Sequence, residues 1–307
     1  MNPDSTDEHL SATQSHRPPT PPSATLSRRR LQSSLAEALE ILCSFCESKQ
    51  KMKKSPLFVF VLLGIAAVAN GQDKAGWIKR HKPHVYKEMP YRLLRPLSRD
   101  PVTKYPVIVS LHHGGFKGSD NLKQMKPELQ FLTEEQHRKD YPCYIVAPQS
   151  EGGWNSTRLQ NIKEIINDLP SVDNKKRYVF GHSMGGAGTY TFIQSDPNYF
   201  AAAGTSAGSG LPNGESAIDP SLFKYLPVWS FHGDQDKICP IEKYQKIFVK
   251  MQDIGGNMKF TTWVGDGHPV APQMITGADN GMTQFSSDRC DPEPVFLKWI
   301  FAQKLTK

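Results

Sequence analysis

Short apolar runs alternate with amphipathic segments along the chain from residue 72 onward. The runs predicted to form buried strands are residues 105–113, 143–148, 177–181, 200–208, 227–233 and 259–265. Between them, apolar side chains recur at helical spacing, at Leu159, Ile162, Ile165, Ile166 and Leu169, and again at Tyr244, Ile247, Phe248 and Met251. Residues 294–305 predict a closing helix. This alternation favours an α/β fold with a mainly parallel sheet flanked by helices on both faces.

In parallel sheets the functional residues collect at the carboxyl ends of the strands, so chemistry is expected there. The run 177–180 leads into Gly181-His182-Ser183-Met184-Gly185, a G-x-S-x-G pattern between a strand and a helix. The backbone of a nucleophile in such a turn is strained, so its neighbours must lack bulk and Ser183 Oγ projects freely. The N–H of Met184 then faces a developing oxyanion at the start of a helix. A tight turn that needs only small residues is the structural alternative.

Two further strand ends carry an acid and a base. FHGDQDKICP places Asp234 and Asp236 just past a strand, where a carboxylate can hold the tautomer of a histidine. Asp236, further into the loop, is favoured for this role, whereas Asp234 suits capping of the turn. WVGDGHPVAP places His268 in a loop after a strand, where an isolated histidine would ordinarily be a surface residue. The order Ser183, Asp236, His268 matches the Ser…Asp…His order of one class of catalytic triad.

The loop LHHGGFKGSDN, residues 111–121, follows the strand 105–110 and supplies glycines at the same edge of the sheet. Backbone N–H groups in such a loop can stabilise negative charge on a reacting oxygen. A metal site at His112 and His113 is the alternative interpretation, but the sequence offers no third ligand nearby. Nothing in the sequence calls for a metal or an organic cofactor.

Residues 105–307 resemble the α/β-hydrolase superfamily, and more closely the secreted esterases and "predicted peptidases" related to polyhydroxybutyrate depolymerases and feruloyl esterases. The matching segments are LHHGGFKGSDN, VAPQSEGGW, VFGHSMGGAGTYTF, PVWSFHGDQDKICPIE and GDGH. The resemblance implies the α/β-hydrolase fold, a Ser183–His268–Asp236 triad, and an oxyanion hole formed by the backbone N–H groups of Met184 and Gly114.

This chain departs from its relatives in two places. They have Leu-His-Gly where it has Leu-His-His-Gly, and its stretch after His268 is a longer, polar loop. Trp154, after the sequence EGG, resembles a substrate-side aromatic residue, with a structural tryptophan as the alternative.

The first 71 residues differ from the rest of the chain. Residues 1–51 contain HRPPTPPSATLSRRR, which would not bury a core, and are predicted to be either a disordered extension or an over-extension of a reading frame that starts at Met52. Residues 52–71 have the order of a signal peptide, with two lysines, an apolar run and small residues. The 13-residue apolar run 57–69 spans about 20 Å as a helix, short of the roughly 30 Å hydrocarbon core. Export to the periplasm or the extracellular space is therefore predicted, with no stable membrane span after cleavage; an uncleaved membrane anchor is the alternative.

Charge and cysteine content change this picture little. The net charge is +7, but no basic block interleaved with aromatic residues follows residue 72, so no nucleic-acid partner is expected. Cys43 and Cys46 form a C-x-x-C without a preceding strand or a second pair, which argues against a redox or zinc site. Among the remaining cysteines, Cys239 and Cys290 are the pair to test for a disulfide, and Cys143 is predicted to be buried.

Together these features predict that residues 72–307 form the catalytic domain of an exported serine hydrolase. It would cleave carboxylic esters through a Ser-His-Asp triad and an acyl-enzyme intermediate. A serine peptidase of the same fold and a non-catalytic α/β-hydrolase-like binding protein are the alternatives. The expected partner is an ester substrate, and family analogy extends it to a polysaccharide or a polyester.

Overall fold

The central strands form where branched and aromatic side chains point alternately to two apolar faces. The structure, a computed structural model, describes residues 76–98, 100–208 and 218–306. Its strands are β1 (Lys82–Tyr86), β2 (Met89–Leu94), β3 (Tyr105–Leu111), β4 (Tyr144–Pro148), β5 (Val172–His182), β6 (Ala202–Ser206), β7 (Val228–Gly233), β8 (Met258–Trp263) and β9 (Gly281–Phe285). Its helices are α1 (Pro127–Thr133), α2 (Glu135–Asp140), α3 (Ser156–Asn167), α4 (Met184–Ser195), α5 (Glu242–Asp253), α6 (Ala271–Thr276) and α7 (Phe296–Ala302).

The strands form one nine-stranded sheet in the order β1-β2-β4-β3-β5-β6-β7-β8-β9. The six strands from β4 to β8 in this order are parallel, as their register shows. At the edges, β1, β2 and β9 run antiparallel to their neighbours. The six runs predicted as buried strands are these six parallel strands, so the predicted α/β fold with a mainly parallel sheet is confirmed.

Two apolar cores lie on opposite faces of the sheet. In β3, Val107, Val109 and Leu111 belong to one core, and Ile108 belongs to the other. This period of two is the pleat of a strand with both faces covered. The buried residues of α3 and α5 pack in the first core and those of α7 in the second. The sheet therefore has helices on both faces, and its strand ends are left at the edge to carry loops.

The antiparallel edge strands were not predicted from the sequence. Every residue of β9 is exposed, and most of β1 is exposed as well. Because β1 and β9 have no buried face, they lack the apolar signal by which the central strands are recognised. In β2 the buried residues stand in pairs at the two ends of the strand, which is not the continuous apolar run of a central strand. The stretch after His268, predicted to be a polar loop, contains α6 and β9, and this prediction is wrong.

The predicted N-terminal extension over residues 1–51 and the predicted signal peptide over residues 52–71 lie outside the described residues. Residues 76–306, apart from the two gaps, form the sheet and its covering helices. In this part of the chain, no helix combines the length and hydropathy needed to cross a bilayer.

Cys239 and Cys290, the pair to test for a disulfide, are not joined. Cys143, Cys239 and Cys290 are buried thiols. Cys239 lies past the carboxyl end of β7, where its N–H donates to Asp236 Oδ1. Cys290 lies at the opposite end of the neighbouring strand β8, with its thiol 3.3 Å from the carbonyl oxygen of Met258. Because β7 and β8 are parallel, the two cysteines lie at opposite ends of these strands and are not paired.

Candidate active site

The turn between β5 and α4 holds Ser183 in a strained backbone conformation. Its φ of 55° and ψ of −119° lie where residues with a side chain rarely stand. Two backbone hydrogen bonds fix it there, from the Ser183 N–H to the Ser206 oxygen at 2.8 Å and from the Ala187 N–H to the Ser183 oxygen at 3.0 Å. This conformation, fixed by the two hydrogen bonds, places the Ser183 hydroxyl at the tip of the turn.

The glycines beside Ser183 are needed because other backbone passes close to them. A Cβ at Gly181 would lie 2.3 Å from the carbonyl oxygen of Gly185. A Cβ at Gly185 would lie 2.2 Å from the carbonyl oxygen of Leu111, the last residue of β3. The turn therefore packs directly against the loop that follows β3. The glycines therefore permit the turn and bring two loops together at the hydroxyl, while the nucleophilic role of Ser183 stays a prediction.

Ser183, His268 and Asp236 form a hydrogen-bonded chain. His268 Nε2 lies 2.9 Å from Ser183 Oγ, and His268 Nδ1 lies 2.7 Å from Asp236 Oδ2. The carboxylate can only accept, so Nδ1 carries the proton and Nε2 is left to accept the Ser183 proton. The Asp236 side chain is fully buried, whereas 15% of the His268 side chain is exposed. The structure thus brings together the three residues predicted at three separate strand ends.

The two aspartates after β7 have different environments. Asp236 faces His268, whereas Asp234 Oδ1 accepts the Gly265 N–H at 2.7 Å and so ties down the turn that leads to His268. Of the two aspartates, Asp236 is therefore the one placed against His268, and its role as the acid of a triad stays a prediction.

The loop after β3 is held beside Ser183 by His112. Its Nδ1–H donates to the His113 oxygen at 2.8 Å, and its Nε2 accepts the Ser150 N–H at 3.0 Å. Both imidazole nitrogens are therefore already occupied by backbone groups, which disfavours the alternative of a metal ligand. Gly114 then opens a 3-10 turn, residues 114–116, in which the Gly115 N–H donates to His113 Nδ1.

Met184 is the first residue of α4, so its N–H belongs to the turn whose amides have no acceptor within the helix. Such amides are suited to an anionic oxygen. The oxyanion roles of Met184 and Gly114 stay predictions.

Trp154 lies in the core rather than on a substrate surface. It is 6% exposed, and its indole N–H donates to the His112 oxygen at 3.2 Å. A Cβ at Gly188 would lie 2.5 Å from Trp154 side-chain atoms, so the ring fills the space above α4. These contacts correct the substrate-side assignment in favour of the structural alternative, in which Trp154 supports the loop that carries His112.

The structure places two further histidines beside the hydrogen-bonded chain. The His182 ring lies 4.8 Å from the His268 ring, centroid to centroid. His232 Nε2 lies 3.2 Å from Asp236 Oδ2. In the sequence only their positions point to the site, since His182 directly precedes Ser183 and His232 lies four residues before Asp236, both at strand ends.

A buried ion pair that the sequence does not signal supports the same region. Lys126 Nζ lies 3.0 Å from Glu128 Oε1 and donates to the Leu111 oxygen at 3.0 Å. The two side chains are 1% and 3% exposed. Lysine and glutamate are ordinarily at the surface, so sequence patterns give no reason to place them here.

One group of potential metal ligands comes together among the described residues. A carboxylate oxygen of Asp236, the thiol of Cys239 and a ring nitrogen of His268 lie within 4.8 Å of one another. Asp236 and His268 are the residues already joined by the 2.7 Å hydrogen bond. A cation here would therefore compete with the hydrogen-bonded chain.

Burial keeps three histidines neutral in the folded protein. It lowers the pKa of His81 to about 3, that of His112 to about 4 and that of His182 to about 2, with nearby positive charges adding to the effect at His81 and His182. In the unfolded chain these rings titrate near their ordinary pKa of about 6.5. Below a pH of about 6.5 the unfolded chain therefore binds more protons than the folded protein. The free energy of unfolding is highest above this pH and decreases as the pH falls.

We therefore expect acidification to destabilise the fold strongly. At about pH 5 each of the three histidines lowers the free energy of unfolding by about 2 kcal/mol relative to its value at neutral pH. Urea denaturation at about pH 7.5 and about pH 5 measures the difference. His81→Gln should reduce the difference in unfolding free energy between the two pH values by about 2 kcal/mol, the contribution of one histidine. Equal unfolding free energies at both pH values would contradict the neutral, buried state of these rings.

Comparisons with known proteins relate this geometry to hydrolases. No protein-family model matches the chain. A thermostable esterase of known structure superposes with a TM-score of 0.59 and 26% identity, covering 74% of this chain and 64% of that chain. The acylaminoacyl peptidase of Pyrococcus horikoshii superposes with a TM-score of 0.50 and 16% identity, covering 62% of this chain and 38% of that chain. At this identity the two proteins are similar in fold alone.

Two curated proteins are similar in sequence. The chain is 24% identical to the uncharacterized peptidase YuxL of Bacillus subtilis (strain 168), over 58% of this chain and 33% of that protein. It is 23% identical to the bifunctional acetylxylan esterase/xylanase XynS20E of Neocallimastix patriciarum, over 48% of this chain and 22% of that protein. The matches therefore span only a third or less of these relatives' own length.

Proposed function

The chain has the α/β-hydrolase fold, and on that premise we propose that it is a serine hydrolase of carboxylic esters with a Ser183–His268–Asp236 triad. The observation that carries the proposal is the hydrogen-bonded chain from Asp236 through His268 to Ser183, with distances of 2.7 and 2.9 Å. A serine in a strained turn, a histidine with a free acceptor nitrogen and a buried carboxylate are the three parts that nucleophilic acyl transfer needs.

The geometry supports the following reaction. His268 Nε2 takes the Ser183 proton while Ser183 Oγ attacks the ester carbonyl carbon. Asp236 stabilises the imidazolium that forms, and the carbonyl oxygen becomes an oxyanion near the N–H groups of Met184 and the loop after β3. His268 then returns its proton to the leaving alcohol, which gives an acyl-enzyme. Water, deprotonated by His268, attacks the acyl carbon; His268 then gives this proton to Ser183 Oγ as its bond to the acyl carbon breaks, which releases the acid and restores the hydroxyl.

The sequence relatives favour two candidate functions. The esterase similarity, with the thermostable esterase at 26% identity and a TM-score of 0.59, favours ester substrates. The similarity to the Bacillus peptidase makes amide hydrolysis by the same residues the second candidate. An amide demands fuller protonation of its leaving nitrogen, so esters are the less demanding substrates of this site.

An acetylxylan esterase/xylanase is among the proteins similar in sequence, and a polar cleft lies on the same side of the chain as the loop of His112. The cleft has a volume of about 490 Å³ and opens where the loops after β3 and β4 meet the start of α3. Its polar lining includes Ser119, Gln149, Asn155, Thr157, Arg158 and Asn161. Ser150, also in the lining, donates its N–H to His112, but Ser183, His268 and Asp236 do not line the cleft. The similarity to an acetylxylan esterase/xylanase is what supports a carbohydrate ester as substrate.

Hydrolysis of matched esters and amides tests the proposal. p-Nitrophenyl esters from acetate to octanoate and the corresponding p-nitroanilides are assayed with the full chain. We expect ester hydrolysis with a preference for one acyl length and far slower hydrolysis of every anilide. Comparable kcat/KM values for both series would favour the peptidase. No turnover of either series would favour a non-catalytic protein.

A further inference from the structure

The Asp236 carboxylate meets four donors, which is more than its contact with His268 requires. Oδ1 accepts the N–H groups of Ile238 at 2.8 Å and Cys239 at 2.9 Å. Oδ2 faces His268 Nδ1 at 2.7 Å and His232 Nε2 at 3.2 Å. The side chain is fully buried, where an ionised carboxylate is stable only if its oxygens are hydrogen-bonded.

The surroundings of His232 fix which nitrogen carries its proton. Nε2 lies 2.7 Å from the Cys239 carbonyl oxygen as well as 3.2 Å from Asp236 Oδ2. A lone pair at Nε2 would face two oxygens that can only accept, so Nε2 is the donor. Burial lowers the pKa of His232 and favours the neutral ring, whose other nitrogen then carries no proton. In agreement, Nδ1 is buried without a hydrogen-bond partner among the described residues.

The His232 ring has little freedom to move. It lies at the penultimate position of β7, its side chain is fully buried, and it packs edge-on against Tyr244 with ring centroids 4.4 Å apart. The Tyr244 hydroxyl bonds to Thr205 Oγ1 at 2.8 Å and accepts the Gly208 N–H. The donor is therefore anchored in the sheet and in the helix α5 that covers it.

We propose that His232 is a positioning residue for the reaction: its Nε2–H, shared between the Cys239 carbonyl and Asp236 Oδ2, holds the Asp236 carboxylate in the orientation that His268 needs. The inference rests on the proposed function. The amides of Ile238 and Cys239 hold one carboxylate oxygen, and His232 is the second anchor on the oxygen that faces His268. A carboxylate anchored at both oxygens cannot rotate about its terminal bond.

Loss of this donor is expected to slow the reaction without weakening substrate binding. A carboxylate that rotates spends less time aligned with His268, so kcat falls by about 10-fold while KM is unchanged. The other titratable groups facing His268 and Asp236 are His182, His113 and Cys239, which the substitutions leave in place.

The test compares His232→Gln with His232→Leu in the full chain. The Gln side chain can place an N–H near the position of Nε2, whereas Leu has no donor. We expect His232→Leu to show the lower kcat with an unchanged KM on p-nitrophenyl acetate, and His232→Gln to restore kcat substantially. Parent kinetics in folded His232→Leu, or equal losses in both variants, would overturn the proposal.

Nuclear magnetic resonance separates this inference from the proposed function, because it needs no turnover. In the ¹⁵N-histidine-labelled parent, His232 should be the neutral Nε2–H tautomer, and the Nδ1–H proton of His268 should give a low-field resonance. That resonance should shift in His232→Leu and return towards its parent position in His232→Gln. A protonated Nδ1 in His232 would overturn the assignment even if His232→Leu fails to fold. A parent without esterase activity would count against the proposed function alone.

Discussion

Replacing Ser183 by alanine is expected to lower kcat/KM for esters by about 10⁴-fold or more. The variant removes the atom that attacks the carbonyl carbon and leaves His268 Nε2 without its partner at 2.9 Å. What catalysis persists would come from substrate binding and from the amides near the oxyanion. Steady-state hydrolysis of p-nitrophenyl esters by parent and variant measures the loss.

Ser195→Ala is the matched control for this substitution. Ser195 is the last residue of α4, is exposed, and bonds to the Thr191 oxygen at 2.7 Å, away from His268. It should keep the parent rate. Because alanine at position 183 must also adopt the positive φ, the melting temperature of Ser183→Ala is compared with that of the parent. A stable Ser183→Ala that retains a substantial part of the parent rate would contradict the role of Ser183.

Asp236→Asn is expected to lower kcat by about 10⁴-fold at neutral pH. The amide group can donate as well as accept, so it can stabilise the wrong tautomer of His268, in which Nε2 holds the proton and cannot accept one from Ser183. The negative charge that stabilises the imidazolium is lost as well. The loss should be in kcat rather than KM, because Asp236 is fully buried and does not touch substrate.

The neighbouring aspartate provides the control. Asp234→Asn keeps an oxygen that can accept the Gly265 N–H, the contact by which Asp234 holds the turn before His268. Its kcat should stay within about 10-fold of the parent value, in line with the loss of one supporting contact. If Asp234→Asn lost more activity than Asp236→Asn, the assignment of the acid would be reversed.

The central sheet could be predicted from the sequence because its strands are buried on both faces. The alternation of Val107, Ile108 and Val109 between two cores produces a continuous apolar run that polar segments interrupt clearly. The strand ends then follow, and with them the residues Ser183, Asp236 and His268. Chain order was sufficient here because parallel strands bring their carboxyl ends to one edge.

What the sequence could not show depends on contacts made by tertiary packing. Trp154 follows a glycine-rich loop and looks exposed, yet it fills the space over Gly188. Lys126 is a charged residue in a polar segment, yet its ammonium group is buried against Leu111 and Glu128. The part played by His232 depends on the path of the loop that returns Cys239 to it. Patterns along the chain contain no information on these partners.

Covalent labelling of the full chain by a fluorophosphonate tests the central claim most directly. The reagent phosphonylates a serine only where a neighbouring base activates it, and digestion with mass spectrometry identifies the modified residue. The account predicts modification at Ser183, loss of esterase activity in proportion to labelling, and no labelling at this turn in Ser183→Ala. An active protein whose Ser183 stays unmodified, or labelling that is unchanged in Ser183→Ala, would contradict it.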